Sequence, residues 1–489
     1  MKKLVFEQKH VFLLITLFIY ALIFSLISIV NHYQLRTYAL DLGVYNHALY
    51  SFANFKSAVF TLGIDGREMP FLGTHFSPIM FFYVPFYYPF GSYTLLIIQI
   101  LAILSGGVVV YRYALEKFID NAWIPKLILI QFFSIWGIYS ALSFDFHNNV
   151  IAAMLVLWFV YFLEKRKYWV GLIFWVLVLI SQENMAIWMI FILIGLIIKN
   201  RIKSKKFLKI EILLLAFTII YSILVIGYIM PAIQGAENNL QIVRYSHLGS
   251  NFGEILVTVI QKPLYTLSLL FKNILEDPAY NGIKLELHFI VLVSGGICLF
   301  LRPVYLVMLI PIYAQKLLSS DFYFWGINVQ YSIEFVPIIS LAFIDLLQYL
   351  KKYKNHVAIL ITVLTIVFCI DSINHRKSKW YNKTNTMFYG KRHYNPEVNL
   401  EEIKNALKLI DDQSNVSASS CLVPHLAFRE KIYHFPIVKD ADYIALITND
   451  SPKYPLSEDD FNKIVEEYKE STEFEIFFYK KDLLIFKKR

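Results

Sequence analysis

Five places in this chain set ionisable side chains into largely apolar sequence. Asp41 stands in Tyr38-Ala39-Leu40-Asp41-Leu42-Gly43-Val44-Tyr45-Asn46 and His75 in Gly73-Thr74-His75-Phe76-Ser77-Pro78. Asp145 and His147 share the corner Ser143-Phe144-Asp145-Phe146-His147-Asn148-Asn149. Glu183 forms a second corner in Ser181-Gln182-Glu183-Asn184, and Glu334 lies in Gln330-Tyr331-Ser332-Ile333-Glu334-Phe335. An ionisable group at membrane depth costs about 2.5–3.5 kcal/mol on insertion scales, so by default it marks a site. A carboxylate whose proton affinity is raised by partial burial or by a second acid deprotonates an acceptor hydroxyl. Facing acids and histidines also hold a divalent cation. A phosphate on the other reactant calls for Arg or Lys; Arg36, Arg67 and Arg244 are the candidates. Structural roles compete at each position. Asp145 is a candidate N-cap for the helix after it, and Asp41 for a short helix opening at Leu42. His75 reads as an interfacial histidine, and Glu334 as the partner of a Lys or Arg. Glu183 is the hardest to explain as structure, since a turn in an apolar hairpin needs no carboxylate.

The elements that position these groups follow from composition. The chain has 489 residues, 57% hydrophobic and 17% charged, with a mean hydropathy of +0.52. Soluble chains carry about 25% charged residues. Disorder, collagen, coiled coil and a disulfide scaffold are excluded as global descriptions. The fold class is mainly α: a polytopic transmembrane helical bundle. The net charge of +9 then belongs to cytoplasmic loops and implies no nucleic-acid partner. Cys298, Cys369 and Cys421 show no CxxC spacing and read as small buried hydrophobes.

Apolar runs predict eleven spans: 11–30, 93–111, 124–142, 150–163, 168–182, 184–199, 208–230, 284–301, 303–318, 331–349 and 355–371. The first is too long for a cleavable signal peptide and reads as an uncleaved anchor. The aromatic segment 75–90, broken by Pro78, Pro85 and Pro89, is left non-spanning. The basic loops at 112–126, 164–167 and 199–206, with Arg302 and 351–354, then all face the cytoplasm. The N-terminus is inside, and the five candidate places face outward. So do a loop at 231–283, with an apolar interfacial helix near 253–275, and everything after Asp371.

Composition shifts near residue 372, dividing a transmembrane domain, 1–371, from an extracytoplasmic α/β domain, 372–489. Helices are expected at 399–411 and 457–470, buried adjacent strands at 416–421 and 443–448, and a hairpin of 474–479 with 483–486. Residues 396–489 are expected to fold as a unit. Pro424-His425 should lie on the loop after the first strand, where it would cover the outer cavity.

The stretches around Asp41, His75 and Asp145 resemble a family of bacterial and archaeal membrane proteins, domain of unknown function 2079. So does Val416-Ser417-Ala418-Ser419-Ser420 with Val423-Pro424-His425-Leu426-Ala427-Phe428-Arg429-Glu430 and Ile432-Tyr433-His434-Phe435-Pro436. The likeness runs from about residue 35 to 450, and the tail motif is its most specific part. That family is grouped with GT-C glycosyltransferases, polytopic enzymes that take a sugar from a polyprenyl-phosphate donor and carry an acid in the first outer loop. The resemblance makes Asp41 that acid. This chain has Asn46-His47 where the family often has Asp-Gln, so Glu183 or Asp145 must supply any second carboxylate. The function it implies is an inverting transfer at the outer face of the plasma membrane to a cell-envelope acceptor. Asp41, Glu183 and Asp145 are then catalytic candidates. His75, His147, Arg67, Arg244, Glu334 and His425 would bind substrate or a possible divalent cation, within reach of membrane lipid. The rival reading is a transporter, lipid-binding protein or scaffold without chemistry. A transporter predicts two related halves and broken helices near the midplane, and no repeat is visible.

Overall fold

The computed structural model describes residues 2–204, 209–235, 240–379, 382–396, 398–449 and 453–489. Parts of the expectations lie outside these residues: Lys205 and Lys206 of the basic run, the first residue of the span beginning at 208, residues 236–239 of the loop 231–283, and residues 380, 381, 397 and 450–452 of the tail.

Among the described residues, seven helices are long and apolar enough to cross a bilayer: Lys9–Tyr33, Pro78–Lys117, Ile124–Leu142, Glu183–Ile202, Lys209–Gln234, Pro278–Leu301 and Lys354–Asn374. Each overlaps an expected span. Three other expected spans are the shorter apolar helices Asn148–Glu164, Tyr168–Leu179 and Phe335–Tyr349. The segment 303–318 divides into Val304–Val307 and Ile310–Leu317, with Pro311 opening the second.

The segment 75–90 leads into the helix Thr94–Lys117 through a 3-10 turn, Pro78–Tyr83, and a short helix, Val84–Phe90. The two are separated from Thr94 by Gly91 at φ +50°. Its Phe81, Phe82, Phe86 and Tyr88 are exposed, as in an interfacial aromatic belt. The apolar region near 253–275 is two helices, Phe252–Gln261 and Pro263–Leu269, broken before Pro263. In the trunk, a Cβ on Gly107 would lie 2.1 Å from Phe133 Cζ. The helix Ile124–Phe133 therefore seats a ring directly on bare backbone, the small-residue contact common between membrane helices.

Helix Asn148–Glu164 separates two polar ends. At its C-terminal end Glu164 pairs with Lys199 at 2.9 Å and Lys117 at 3.4 Å. At its N-terminal end, roughly 25 Å away, lies the corner that carries Asp145 and His147.

A two-stranded ribbon of β1 (Val59–Phe60) and β2 (Met69–Pro70) lies in the first loop. The tail forms a five-stranded sheet from β3 (Val416–Ala418), β4 (Ile432–His434), β5 (Tyr443–Ile447), β6 (Phe474–Lys480) and β7 (Leu483–Lys488), in the order β4-β3-β5-β7-β6. The expected adjacent pair is present: β3 lies parallel to β5, with Val416 opposite Tyr443. The expected hairpin is β6 with β7. β3 stops at Ala418 because the chain turns there, Leu422 N–H donating to Ser419 O at 2.8 Å. Helix Leu400–Leu407 is capped by Asn399, and Glu458–Lys469 by Ser457, whose side chain accepts the Asp460 N–H.

One face of the sheet, through Ile444, Leu446, Leu484 and Phe486, packs on Phe461 and Val465 of the tail itself. The other face, through Val416, Ala418, Ala445 and Ile485, shares a core with Leu42, Leu49 and Leu62 of the first loop. Gly43 permits that approach, since a Cβ there would meet Val423 Cγ1 at 2.8 Å. The sheet is thus seated on the segment that carries Asp41.

Candidate functional site

After the first helix the chain coils through Ala39–Gly43 into the helix Val44–Ala53. A helix start leaves backbone N–H groups without intrahelical partners. Here distant residues supply them. Asp145 Oδ2 accepts the Tyr38 N–H at 2.9 Å and the Leu42 N–H at 3.4 Å, and Ser420 Oγ accepts the Ala39 N–H at 3.2 Å. Two expectations are corrected by this arrangement. Asp41 lies inside the first turn and caps nothing, because Asp145 already meets the N–H groups at that end. Asp145 does not cap the helix after its own corner, where His147 holds the cap position without a side-chain cap bond.

Asp41 instead turns Oδ1 to His147 Nε2 at 3.1 Å. The Asp41 side chain is 27% exposed and that of His147 10%, so the acid is the accessible member of the pair. Gln99 fixes the corner from helix Thr94–Lys117. Its Oε1 accepts the His147 N–H at 3.0 Å and its Nε2 donates to Asp145 O at 3.1 Å. Burial, and then the charge of Asp41 beside it, raise the Asp145 carboxyl well above the usual range and favour its acid form.

Tyr45, one turn beyond Asp41, is buried between two histidines. Its ring stacks on His75 at 5.8 Å and 20°, and meets His147 edge-on at 5.8 Å and 71°. Burial lowers the His75 imidazole to about 4; His147 acts in the same direction and Asp41 against it. His75 is therefore neutral at pH 7. Glu183 Oε2 accepts the Phe76 N–H at 3.0 Å and so fixes the residue next to His75. Glu334 Oε1 accepts from Asn149 Nδ2 at 2.9 Å, tying helix Phe335–Tyr349 to the corner. The hydrogen bond to Asn149 takes the place of the expected ion pair.

Tyr323 and Tyr331 lie close enough to feel the charge of Asp41, and their rings meet edge-on at 6.2 Å. Arg244 adjoins them: it sits 4.6 Å over the Phe324 ring, which packs on Tyr331 at 4.4 Å, and pairs with Asp321 at 3.6 Å. Arg67 is elsewhere, held by Asp65 at 2.6 Å in the turn between β1 and β2. Arg36 donates to His393 O at 2.7 Å. His425 lies in the short helix Val423–Leu426 after β3 and stacks on His32 at 4.1 Å and 11°. It joins the tail to the end of the first helix, and Pro424 O accepts from Asn46 Nδ2 at 3.1 Å.

Six of the nine expected site residues thus form one connected group: Asp41, His75, Asp145, His147, Glu183 and Glu334. Arg244 lies beside it, while Arg67 and His425 lie apart. Among the described residues no three His, Cys, Asp or Glu side chains gather to hold a metal ion. Asp41 and His147 offer two donors, and Asp145 is turned to backbone N–H groups, so the residues do not fit a resident divalent cation. Sequence reading missed Gln99 and Tyr45. Both left a signal: a carboxamide inside an apolar span, and an aromatic four residues from Asp41 on the same helix face.

Residues 31–474 match the family model described as predicted membrane protein (DUF2079). Comparison with curated proteins finds no match.

Proposed function

Since the chain belongs to the DUF2079 family of predicted membrane proteins, a description that names no reaction, we propose from its site that it is a membrane glycosyltransferase of the GT-C kind. The donor is a polyprenyl-phosphate-linked sugar and the acceptor a hydroxyl of a cell-envelope component, met at the outer face of the plasma membrane. The acceptor oxygen attacks the anomeric carbon, its proton passes to Asp41, and polyprenyl phosphate leaves with inversion. His147 orients the Asp41 carboxylate. Asp145 and Gln99 are positioning residues, since Asp145 Oδ2 and both polar atoms of Gln99 hold backbone. His75, neutral at pH 7, and Tyr331 line the space beside Asp41. Arg244 is the nearer candidate for the donor phosphate.

One observation carries the reading. Within a cluster whose other acids each hold backbone or Asn149 through one oxygen, Asp41 presents a partly exposed carboxylate held by a single histidine. A general base needs that combination of access and fixed orientation. The test is transfer of labelled sugar from a polyprenyl-phosphate donor by the purified protein in lipid vesicles. Donor-dependent transfer that needs Asp41 supports the proposal. Donor binding without turnover across a panel of sugars and acceptors would favour the lipid-binding alternative.

A further inference from the structure

The chain from Ser372 to Pro396 contains six Lys and Arg residues and no Asp or Glu. It follows the last membrane helix, Lys354–Asn374, directly. Its later half is pinned to the end of the first helix, Lys2–Tyr33. His393 contacts Leu26 O at 2.6 Å and Thr384 O at 2.7 Å, so one ring ties the segment both to the helix and to itself. Asn31 Nδ2 donates to Asn385 O at 2.8 Å, and Gln34 Nε2 to Tyr394 O at 3.1 Å. These bonds fix the segment at the level where two membrane helices end.

Of the basic side chains, Arg376 is held against the protein by Ser372 O and Asn328 Oδ1, and Lys377 lies over Gly282. Lys377, Lys379, Lys383, Lys391 and Arg392 are exposed, and none forms an ion pair among the described residues. Tyr389 and Tyr394 are exposed beside them, amphipathic rings at the same level. Where the segment begins, a cavity of about 460 Å³ opens between the start of the helix Ile283–Val291 and the end of Lys354–Asn374. Leu285, Phe289 and Ile290 form its apolar wall, and His375, Arg376 and Lys377 its basic rim. The acids that also line it are engaged. Glu286 accepts the Lys377 N–H at 2.5 Å and the Ser378 N–H at 2.9 Å, and Asp371 pairs with His375 at 3.0 Å. Leu285 and Phe289 are themselves exposed on the membrane-facing side.

We propose that residues 375–379 and 382–394, with the cavity at 282–290, form a binding collar for anionic phospholipid headgroups. Acyl chains lie along Leu285 and Phe289, and the phosphates meet the basic rim and the exposed lysines. A cluster of four to eight Lys and Arg beside a membrane helix attracts anionic lipid surfaces on electrostatic grounds. The pinning bonds remove the ordering cost that a flexible basic tail would incur on binding. The collar also accounts for a basic stretch on the side opposite the other basic loops. It is independent of Asp41 and of any transfer chemistry.

The test is native mass spectrometry of the full-length protein with phosphatidylglycerol and phosphatidylcholine in parallel. Phosphatidylglycerol should be retained at least about tenfold more, and raised salt should weaken it, since exposed charges are screened. The variant Lys377→Gln/Lys383→Gln/Lys391→Gln/Arg392→Gln should lose that preference, while the same four positions exchanged Lys→Arg and Arg→Lys keep it. The exchange variant guards against loss through misfolding. Equal retention of the two lipids, or an unchanged preference in the Gln variant, would overturn the proposal. So would competition by glycerol phosphate as effective as that of the whole lipid, which would mean the rim reads free phosphate.

Discussion

Asp145 holds the segment on which Asp41 sits, and the two acids should therefore fail differently when altered. Asp145→Asn keeps an oxygen for the Tyr38 and Leu42 N–H groups and should leave folding and most function intact. Asp145→Leu leaves two backbone donors without partners, each costing ~1–3 kcal/mol, so its melting midpoint should drop clearly below that of Asp145→Asn. Equal midpoints for the two would contradict the capping role. A second residue-scale expectation concerns pH. Burial, and then Lys404, lower His425 to about 3, and His32 stacks on its face. The fold therefore holds the neutral ring, whereas the unfolded chain protonates it near pH ~6.5. Its contribution is full above about pH 6.5 and is lost as pH falls toward 3. His75, at about 4, acts in the same sense. Thermal unfolding should start lower at pH 5 than at pH 7.5, and His425→Phe, which keeps a stacking ring, should reduce the difference. A difference unchanged in His425→Phe would reject this assignment. Neither relation was legible in the sequence. The caps of Leu400–Leu407 and Glu458–Lys469 are made by the preceding residue, Asn399 or Ser457, so local spacing reveals them. The cap at Tyr38 comes from Asp145 and the partner of Asp41 is His147; both bonds join residues more than a hundred positions apart, which spacing does not encode.

Among the elements, the tail sheet was the most readable, because strands covered on both faces are continuously apolar. β4, the three residues Ile432–His434, was not read as a strand. The trunk was readable where apolar runs are long. It was less so where helices are short or broken, as at Val304–Val307 and Ile310–Leu317. The sharing of one sheet face with the first loop was not foreseen, because Gly43 and Val423 lie in separate motifs with nothing in either to name the other. It sets an expectation for the excised tail. Residues 396–489 keep the core around Phe461, Val465 and Phe486 but lose the cover that Leu42, Leu49 and Leu62 give the other face. The fragment should unfold cooperatively, at a lower midpoint than the tail within the whole chain, and should bind an apolar dye on the uncovered face. Absence of a cooperative transition would mean that the sheet depends on the trunk altogether.

For the molecule as a whole, the polar cluster and the ion pairs of Glu164 lie at opposite ends of the same helix, and the basic loops accompany the second end. That separation predicts opposite exposure across the membrane. Single cysteines at Lys167→Cys and Lys463→Cys should react with an impermeant thiol reagent from opposite sides, with little background because the three native cysteines are buried. Labelling of both from the same side would contradict the opposite placement on which the acceptor assignment depends. In the proposed transfer the Asp41 carboxylate takes a proton from the acceptor hydroxyl. The most direct measurement is the transfer rate of Asp41→Asn, in vesicles, from a polyprenyl-phosphate sugar donor. Because Asp41 caps no helix and is partly exposed, the variant should fold and melt as the parent does. Its rate should fall by about 10²–10⁴-fold, the usual worth of a general base. A well-folded Asp41→Asn protein that transfers sugar at the parental rate would contradict the account.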